Sequence, residues 1–412
     1  MNKDCEPITH CIACGSADLV PVLDLGWQPL ANDFVRKRGP QQEFPLAINR
    51  CDHCYHVQLT HQVNPELMFN NYAYVSGVSK TGLEWFNWVK ELAGRRYSKT
   101  IERVLDIGCN DGSMLDAWKG SDIKTYGVDP AENLLSISTG KGHNVHCGFF
   151  NGKEFGDKKF DIITCLNAFA HNANQLELLK NIKEVMHEDT LLICSTSQAD
   201  MILNGEFDTI YHEHVSFYNI KSANALCERA GLNLIDVIKH PIHGTSYMFL
   251  ISKSTTAKVR IAKLIEEEEK SGIYDPKTYY EFCDKANKLA ESFASIIRSY
   301  RRSNFTIIGY SAPAKGNTLM NFAKEGPDLI FEDTPQKQET YTPGLQIYVT
   351  KPRYELVQNY NTVVWIPLAW NFYKEIKSKI ETARPDKKDI FLLTGKRMWI
   401  ENDEGGSKER NV

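Results

Sequence analysis

Four groups of residues in this chain of 412 have the types and spacing for chemistry. The first is a pair of Cys-x-x-Cys turns, Cys11 with Cys14, followed by Gly15, and Cys51 with Cys54. Two such turns bring four thiolates to one ion, which is the closed tetrahedral donor set of a structural zinc. Redox cysteines are the competing reading, and two matching pairs in one short region argue against it. His53 and His56 beside the second pair are weaker ligand candidates. The second group is the run 104–112, in which Val104, Leu105, Asp106 and Ile107 lead into Gly108, Cys109, Asn110, Asp111 and Gly112. A buried strand entering a glycine turn lets backbone approach a ligand, and a carboxylate about 20 residues on can hold ribose hydroxyls. Asp129 stands there.

The third group is Tyr211-His212-Glu213-His214, four consecutive acid/base side chains. In an extended segment, Tyr211 and Glu213 share one face and His212 and His214 the other. Proton transfer and a hydrogen-bonded polar loop both fit this composition, while a metal lacks a clear further ligand. The fourth is a strand–loop–helix at 305–324, where Ser311 to Thr318 offer small residues, backbone N–H groups and Lys315 to a phosphate. A plain tight connection is the alternative, and the Gly-Lys-Thr order of a P-loop is absent. Tyr72 and Tyr74, alternating beside Ser76, read either as a lid with hydroxyls on one face or as a connector packed on the core.

The elements that position these groups follow from hydrophobic period. Helical spacing predicts helices over 81–94, 112–119, 132–139, 174–186, 259–270 and 276–302. Apolar runs predict strands at 104–107, 125–129, 145–147, 160–166, 190–195, 234–239 and 248–252, and a second set at 305–310, 329–332, 346–349, 362–366 and 390–393. Strand–helix alternation implies an α/β protein with a parallel sheet covered on both faces. Ligands in such sheets sit beyond the carboxyl ends of the strands. Asp106 to Gly112, Asp129, Phe149, Phe150 and Asn167 to His171 all fall there. The acidic run 266–269 reads as a solvated helix face. Three consecutive segments are expected: a zinc-binding module over 1–75, a Rossmann-like domain over 76–253 and a second Rossmann-like α/β domain over 254–412.

A net charge of -4 with 42% hydrophobic and 24% charged residues gives no electrostatic reason for nucleic-acid binding. No apolar run is long enough to span a bilayer, and the first residues lack the apolar core of a signal peptide. Eleven scattered cysteines favour thiols and a metal over disulfides. The expectation is a cytoplasmic monomer that binds neither nucleic acid nor membrane.

In their order, these motifs make the chain resemble the nucleotide-sugar C-methyltransferases of deoxysugar biosynthesis. The carriers are the two cysteine pairs, residues 72–77, 106–112, 167–171, 211–214, His243-Gly244 and 309–318, and the resemblance covers Cys11 to about Gly395. It implies a zinc module, a central S-adenosylmethionine-binding methyltransferase domain and a C-terminal α/β domain. It also implies a substrate, a 4-keto-6-deoxy sugar on a nucleoside diphosphate, methylated at C3 through an enolate. His214 is then the first choice as base and Tyr211 the second, with Glu213 orienting the histidine and Tyr74 and His171 near the sugar. Asp106, Gly108, Asn110, Gly112 and Asn167 line the cofactor, Asp129 its ribose, and Phe149 or Phe150 its adenine. Tyr72, Ser76, His243, Lys315 and Asn317 fall to the substrate, with Lys315 on the diphosphate. Three positions depart from the pattern: Thr245 and Tyr247 replace the family's glycine and arginine, and Ser311 follows Tyr310 where glycine is usual. An O- or N-methyltransferase acting on RNA or a small molecule, and a non-catalytic nucleotide-binding protein, are the alternatives.

Overall fold

The computed structural model describes the chain except residues 1–3, 71, 73–74, 121, 197–199, 243–244, 395–398, 402–406 and 410–412. Tyr74 and His243 therefore lie outside the described residues. Contacts divide the chain into two compact units that are not consecutive in sequence. Unit 1 comprises Met1–Pro21, Asn49–Asp200 and Glu213–Tyr274, and unit 2 comprises Val22–Ile48, Met201–His212 and Asp275–Val412. The chain leaves unit 1 along the strand Leu19–Pro29 and returns along Glu43–Cys51. Neither strand was anticipated, since Gly26, Pro21 and Pro45 interrupt their apolar pattern.

Unit 1 is built on a seven-stranded sheet in the order Asn233–His240, Ser246–Ser252, Met186–Thr196, Phe160–Leu166, Arg103–Ile107, Lys124–Asp129, Asn144–Cys147. The last five are mutually parallel. The first two add as an antiparallel hairpin, because the connection 241–245 is too short for a parallel crossover. Arg103–Ile107 is first of the parallel strands in sequence yet lies between Phe160–Leu166 and Lys124–Asp129. Its carboxyl end is thus the switch point at which open α/β sheets take ligands. Alternate residues feed two cores: Leu105, Ile107, Ile163 and Cys165 on one face, and Val104, Ile162, Leu191 and Ile193 on the other.

The helix Lys80–Arg96 packs on the second face through Trp85, Phe86, Val89 and Leu92. Its N-terminus is capped by the Ser79 side chain, which accepts from Gly82 N, and Arg95 and Arg96 sit favourably in its last turn. The expected helix over 112–119 contracts to Ser113–Asp116. A helix at Ile220–Arg229, which the sequence reading lacked, begins with a reciprocal Asn219–Ser222 capping box.

The helix Lys258–Glu269 belongs to unit 1, not to the third expected segment, because Ile261 is buried in the unit 1 core. The acidic run on it is solvated except at Glu268. That buried carboxylate accepts from Tyr247 Oη (2.6 Å), the Tyr274 hydroxyl and Ile220 N (2.7 Å).

Unit 2 contains a second parallel sheet, Tyr348–Thr350, Leu329–Phe331, Ile307–Tyr310, Val364–Pro367, Ile390–Leu393, again with its first strand at the centre. The helix Pro276–Arg302 has the expected bounds. Asp275 caps it, Pro276 is pre-set for its first turn, and Tyr279, Phe282, Ala286, Leu289, Phe293 and Ile297 form one buried stripe. Among the described residues no helix is long and apolar enough to cross a membrane.

Candidate active site and metal centre

The two cysteine turns fold alike. Gly15 N donates to Cys11 O and Tyr55 N to Cys51 O, and Gly15 and Tyr55 both take positive φ (84° and 58°). Cys14 N and His53 N point at the Cys11 and Cys51 sulfurs (3.4 Å each). The four Sγ atoms lie within 4.8 Å of one another, with Cys11–Cys54 at 3.6 Å and Cys14–Cys51 at 3.5 Å. Thiolates 2.3 Å from a tetrahedral ion stand about 3.8 Å apart, so the donor set fits zinc. His53 is committed to Asp18 (2.7 Å) and His56 to Ser216 (3.1 Å), which leaves four sulfurs as the candidate donor set.

The glycine turn sits at the switch point. Gly108 takes φ +76°, and a Cβ there would lie 2.5 Å from Ala168 Cβ, so the turn touches the end of the neighbouring strand. Asn110 adopts φ +50°, and its N–H donates to Asp129 Oδ2 (2.8 Å) while Ala131 N donates to Oδ1 (2.8 Å). Asp129 thereby ties the turn to its own strand end. Asp106 is buried and accepts from Thr164 Oγ1 (2.6 Å); burial first, and then Asp129, push its carboxyl up to about 7. Asn167, at φ +56°, is held by Ser195 (3.0 and 3.2 Å from its N–H). Phe150 packs on Phe155 in the core, whereas Phe149 is 46% exposed. Ser76 N donates to Asn110 Oδ1 (2.9 Å). Gly77 lies so close over the turn that a Cβ would meet Ser113 Oγ at 2.4 Å. Ser76, assigned to the substrate by the family resemblance, thus also braces the glycine turn through its backbone N–H.

Beyond Ala168, the turn Phe169–His171 carries His171 into a ring of side chains. The His171 and His214 imidazoles stack at 5.2 Å and 29°, and His171 also stacks on Phe69 at 5.6 Å and 8°. Phe69 meets Tyr72 edge-on, and the Tyr72 hydroxyl donates to Glu213 Oε2 (2.9 Å). The Tyr72 backbone is clamped twice by Asn133, through Oδ1 (3.1 Å) and Nδ2 (3.0 Å). Burial pushes His171 down to about 4. It is therefore neutral at pH 7 and able to donate one N–H without carrying charge. We expect its ring to stay unprotonated as pH falls from 8 to 5 in 15N spectra of labelled histidine; titration near 6.5 would contradict this.

The extended reading of 211–214 is corrected. The backbone bends at Tyr211 and turns at His212 and Glu213, so the alternation of faces does not apply. The units part there as well: Tyr211 and His212 belong to unit 2, Glu213 and His214 to unit 1. His212 packs on Phe44 (5.9 Å), and burial pushes it down to about 4. Tyr247 is likewise explained, because its ring is buried and its hydroxyl serves Glu268.

In unit 2 the expected loop 311–318 is mostly helix. Ala314–Ala323 starts directly after Pro313, so Lys315 and Asn317 stand in its first turns. Lys315 Nζ is buried 5.0 Å over the Trp370 ring and has no hydrogen-bond partner among the described residues. Asp208, on which the Lys315 charge acts, accepts from Trp370 Nε1 (2.7 Å) through Oδ2, and its Oδ1 has no hydrogen-bond partner among the described residues. Asn317 Nδ2 donates to Ala31 O (2.8 Å), and its Oδ1 has no hydrogen-bond partner among the described residues. Such buried, unfilled bonding capacity is unusual outside ligand sites. Sequence reasoning missed Asp208, Phe69 and Thr164. Only Thr164 left a signal, as a hydroxyl inside the otherwise apolar end of its strand.

Three families match in order. Residues 11–69 match the one described as "Putative zinc binding domain", residues 79–237 "Methyltransferase domain", and residues 241–392 "C-methyltransferase C-terminal domain". The C-methyltransferase NovU of Streptomyces niveus is 28% identical over 97% of this chain and 97% of its own length. A ubiquinone biosynthesis O-methyltransferase of Glaesserella parasuis is 28% identical over only 23% of this chain and 45% of its own. A solved S-adenosylmethionine-dependent methyltransferase of Clostridium acetobutylicum aligns with 43% of this chain and 94% of its own, at 14% identity and a TM-score of 0.36. With the three matched segments in this order and a C-methyltransferase similar over nearly the whole chain, this protein is an S-adenosylmethionine-dependent methyltransferase similar to C-methyltransferases.

Proposed function

We propose that this enzyme methylates the carbon beside the carbonyl of a nucleoside-diphosphate-linked 4-keto-6-deoxy sugar, at C3, and that its four-cysteine centre holds one structural zinc. The observation that carries the reading is the continuity, within unit 1, from Gly108 through Ala168 to the stacked His171 and His214. It supports reading the two imidazoles as a proton-transfer pair beside the turn of the methyl donor. A C–H beside a ketone ionises only when a base is positioned and the enolate oxygen is stabilised.

S-adenosylmethionine, when bound, supplies an electrophilic methyl group. Gly108, Asn110 and Gly112 give it a close backbone approach, with Asp106 and Asn167 at the flanking strand ends. Asp129 receives the ribose and exposed Phe149 the adenine. His214 removes the C3 proton, and the charge left on the C4 oxygen is met by the neutral N–H of His171. Glu213, bonded by Tyr72, orients the base. Tyr211 is the second candidate for that proton, and Tyr74 and His243 remain assigned to the sugar by family position.

Lys315 and Asn317 are assigned to the diphosphate. The support is an ammonium with no hydrogen-bond partner among the described residues, at the start of a helix, where backbone N–H groups favour anions. Lys315→Met should raise KM for the nucleotide sugar about 10- to 100-fold, the size of one charge-assisted bond, with S-adenosylmethionine affinity unchanged. An unaltered KM would remove Lys315 from the site.

The deciding experiment incubates the protein with S-adenosylmethionine and a panel of nucleotide-linked 4-keto-6-deoxy sugars in deuterated water, with products followed by mass. Methylation restricted to 4-keto sugars, accompanied by exchange of one carbon-bound hydrogen, is expected. Methyl transfer to a hydroxyl, or to RNA, would overturn the reading.

A further inference from the structure

Gln175 is buried completely, at 0% exposure, as the first residue of the helix Gln175–Glu184. A carboxamide out of water is costly unless its bonding positions are used. Here Oε1 accepts from Ser216 Oγ (3.1 Å) and from the Tyr218 hydroxyl, and Nε2 donates to Phe169 O (3.1 Å). The flipped amide would set Oε1 against the Phe169 carbonyl, so the network fixes its orientation.

These partners are not scattered. Phe169 opens the turn that ends in His171, and Ser216 and Tyr218 lie two and four residues past His214. One side chain therefore spans the two segments that carry the stacked imidazoles. Val215 N donates to Ala170 O (2.9 Å) between the same segments. Support reaches back to the cysteine centre. His56, two residues past Cys54, meets Ser216 Oγ through Nε2 (3.1 Å). The strand Val57–Leu59, which follows it, pairs antiparallel with Ser216–Phe217. Filling the space alone would be done better by leucine or methionine, which have nothing to desolvate. The amide adds direction: it sets residues 169–171 and 214–218 in one register.

We propose that Gln175 is a positioning residue for the His171–His214 pair, acting through Phe169 on one side and Ser216 on the other. This rests on the reading of that pair as the acid/base machinery. Gln175→Met conserves volume and removes all three bonds. In the zinc-loaded full-length protein it should slow substrate deuterium exchange about 10- to 100-fold, as a misplaced base does, with KM and S-adenosylmethionine affinity within about twofold of the parent. In 15N-histidine spectra the His171 and His214 signals should move while His143 does not. Ser216→Ala, which removes a single bond, should give a smaller change in the same direction, and it serves where Gln175→Met folds poorly. Unmoved His171 and His214 signals in both variants would overturn the proposal, and so would a slowing matched by an equal loss of cofactor affinity. If the parent protein turns over no keto sugar but the histidine signals still move, the brace stands and the substrate reading falls.

Discussion

His214→Ala is expected to abolish deuterium exchange at the substrate carbon while S-adenosylmethionine binds as before. A positioned general base contributes about 10²- to 10⁴-fold, and carbon acids are slow without one, so the loss should reach the upper part of that range. Cofactor binding should survive because the glycine turn is held by contacts that do not involve His214. Asn110 N and Ala131 N bond Asp129, Thr164 bonds Asp106, and Ser195 holds Asn167. The histidine itself is 4% exposed, stacked on His171 and followed by a strand pairing, so removing its ring should leave the backbone in place. Tyr211→Phe is the control: if it abolishes exchange and His214→Ala keeps it within tenfold of the parent, the tyrosine is the base. Isothermal titration with S-adenosylmethionine, beside exchange followed by mass, separates a lost base from a lost fold.

Cys11→Ser should have the second large effect, on the fold of unit 1. Metal content is expected to drop from about one zinc per chain to near zero. Structural zinc binding is worth about 10–16 kcal/mol in small modules, comparable with the whole stability of a domain of about 5–15 kcal/mol. Losing one of four sulfurs should therefore lower the melting temperature steeply, and a chelator should do the same to the parent. Exchange activity should fall with it, because the Val57–Leu59 strand that follows the second cysteine turn is the partner of Ser216–Phe217. A variant that keeps its metal would remove Cys11 from the ligand set, and one that loses it without any change in melting or exchange would show the centre to be dispensable.

Much of this architecture was legible because short-range physics dictates it. The strands Phe160–Leu166 and Ile390–Leu393 and the helix Pro276–Arg302 have the bounds their apolar period predicts. The cysteine turns were legible from spacing alone, since chelation needs the two thiols of each turn close in sequence. Legibility failed where local pattern and environment part. The run 311–318 looked like a loop because it is rich in small residues, yet such residues also let a helix start directly against a strand, and Gly316 packs beside Leu368. Glu268 looked solvated like its neighbours, and only the Tyr247 and Tyr274 hydroxyls and the Ile220 N–H explain its burial.

By itself, then, the sequence determined the kinds of chemistry on offer: a four-thiolate centre, a nucleoside-type turn with Asp129, and an acid/base cluster ending at His214. Those depend on residue type and near spacing, which a linear chain displays. Only the tertiary structure decided which of these groups act together. It separated His212, buried against Phe44, from His214, stacked on His171. It bonded Ser76 N to Asn110, and it set Gln175 between two segments that no periodicity connects. The physical reason is that a hydrogen bond or ring contact is made at about 3 to 6 Å whatever the distance along the chain. Pairings of that kind are consequences of packing, and no local pattern encodes them.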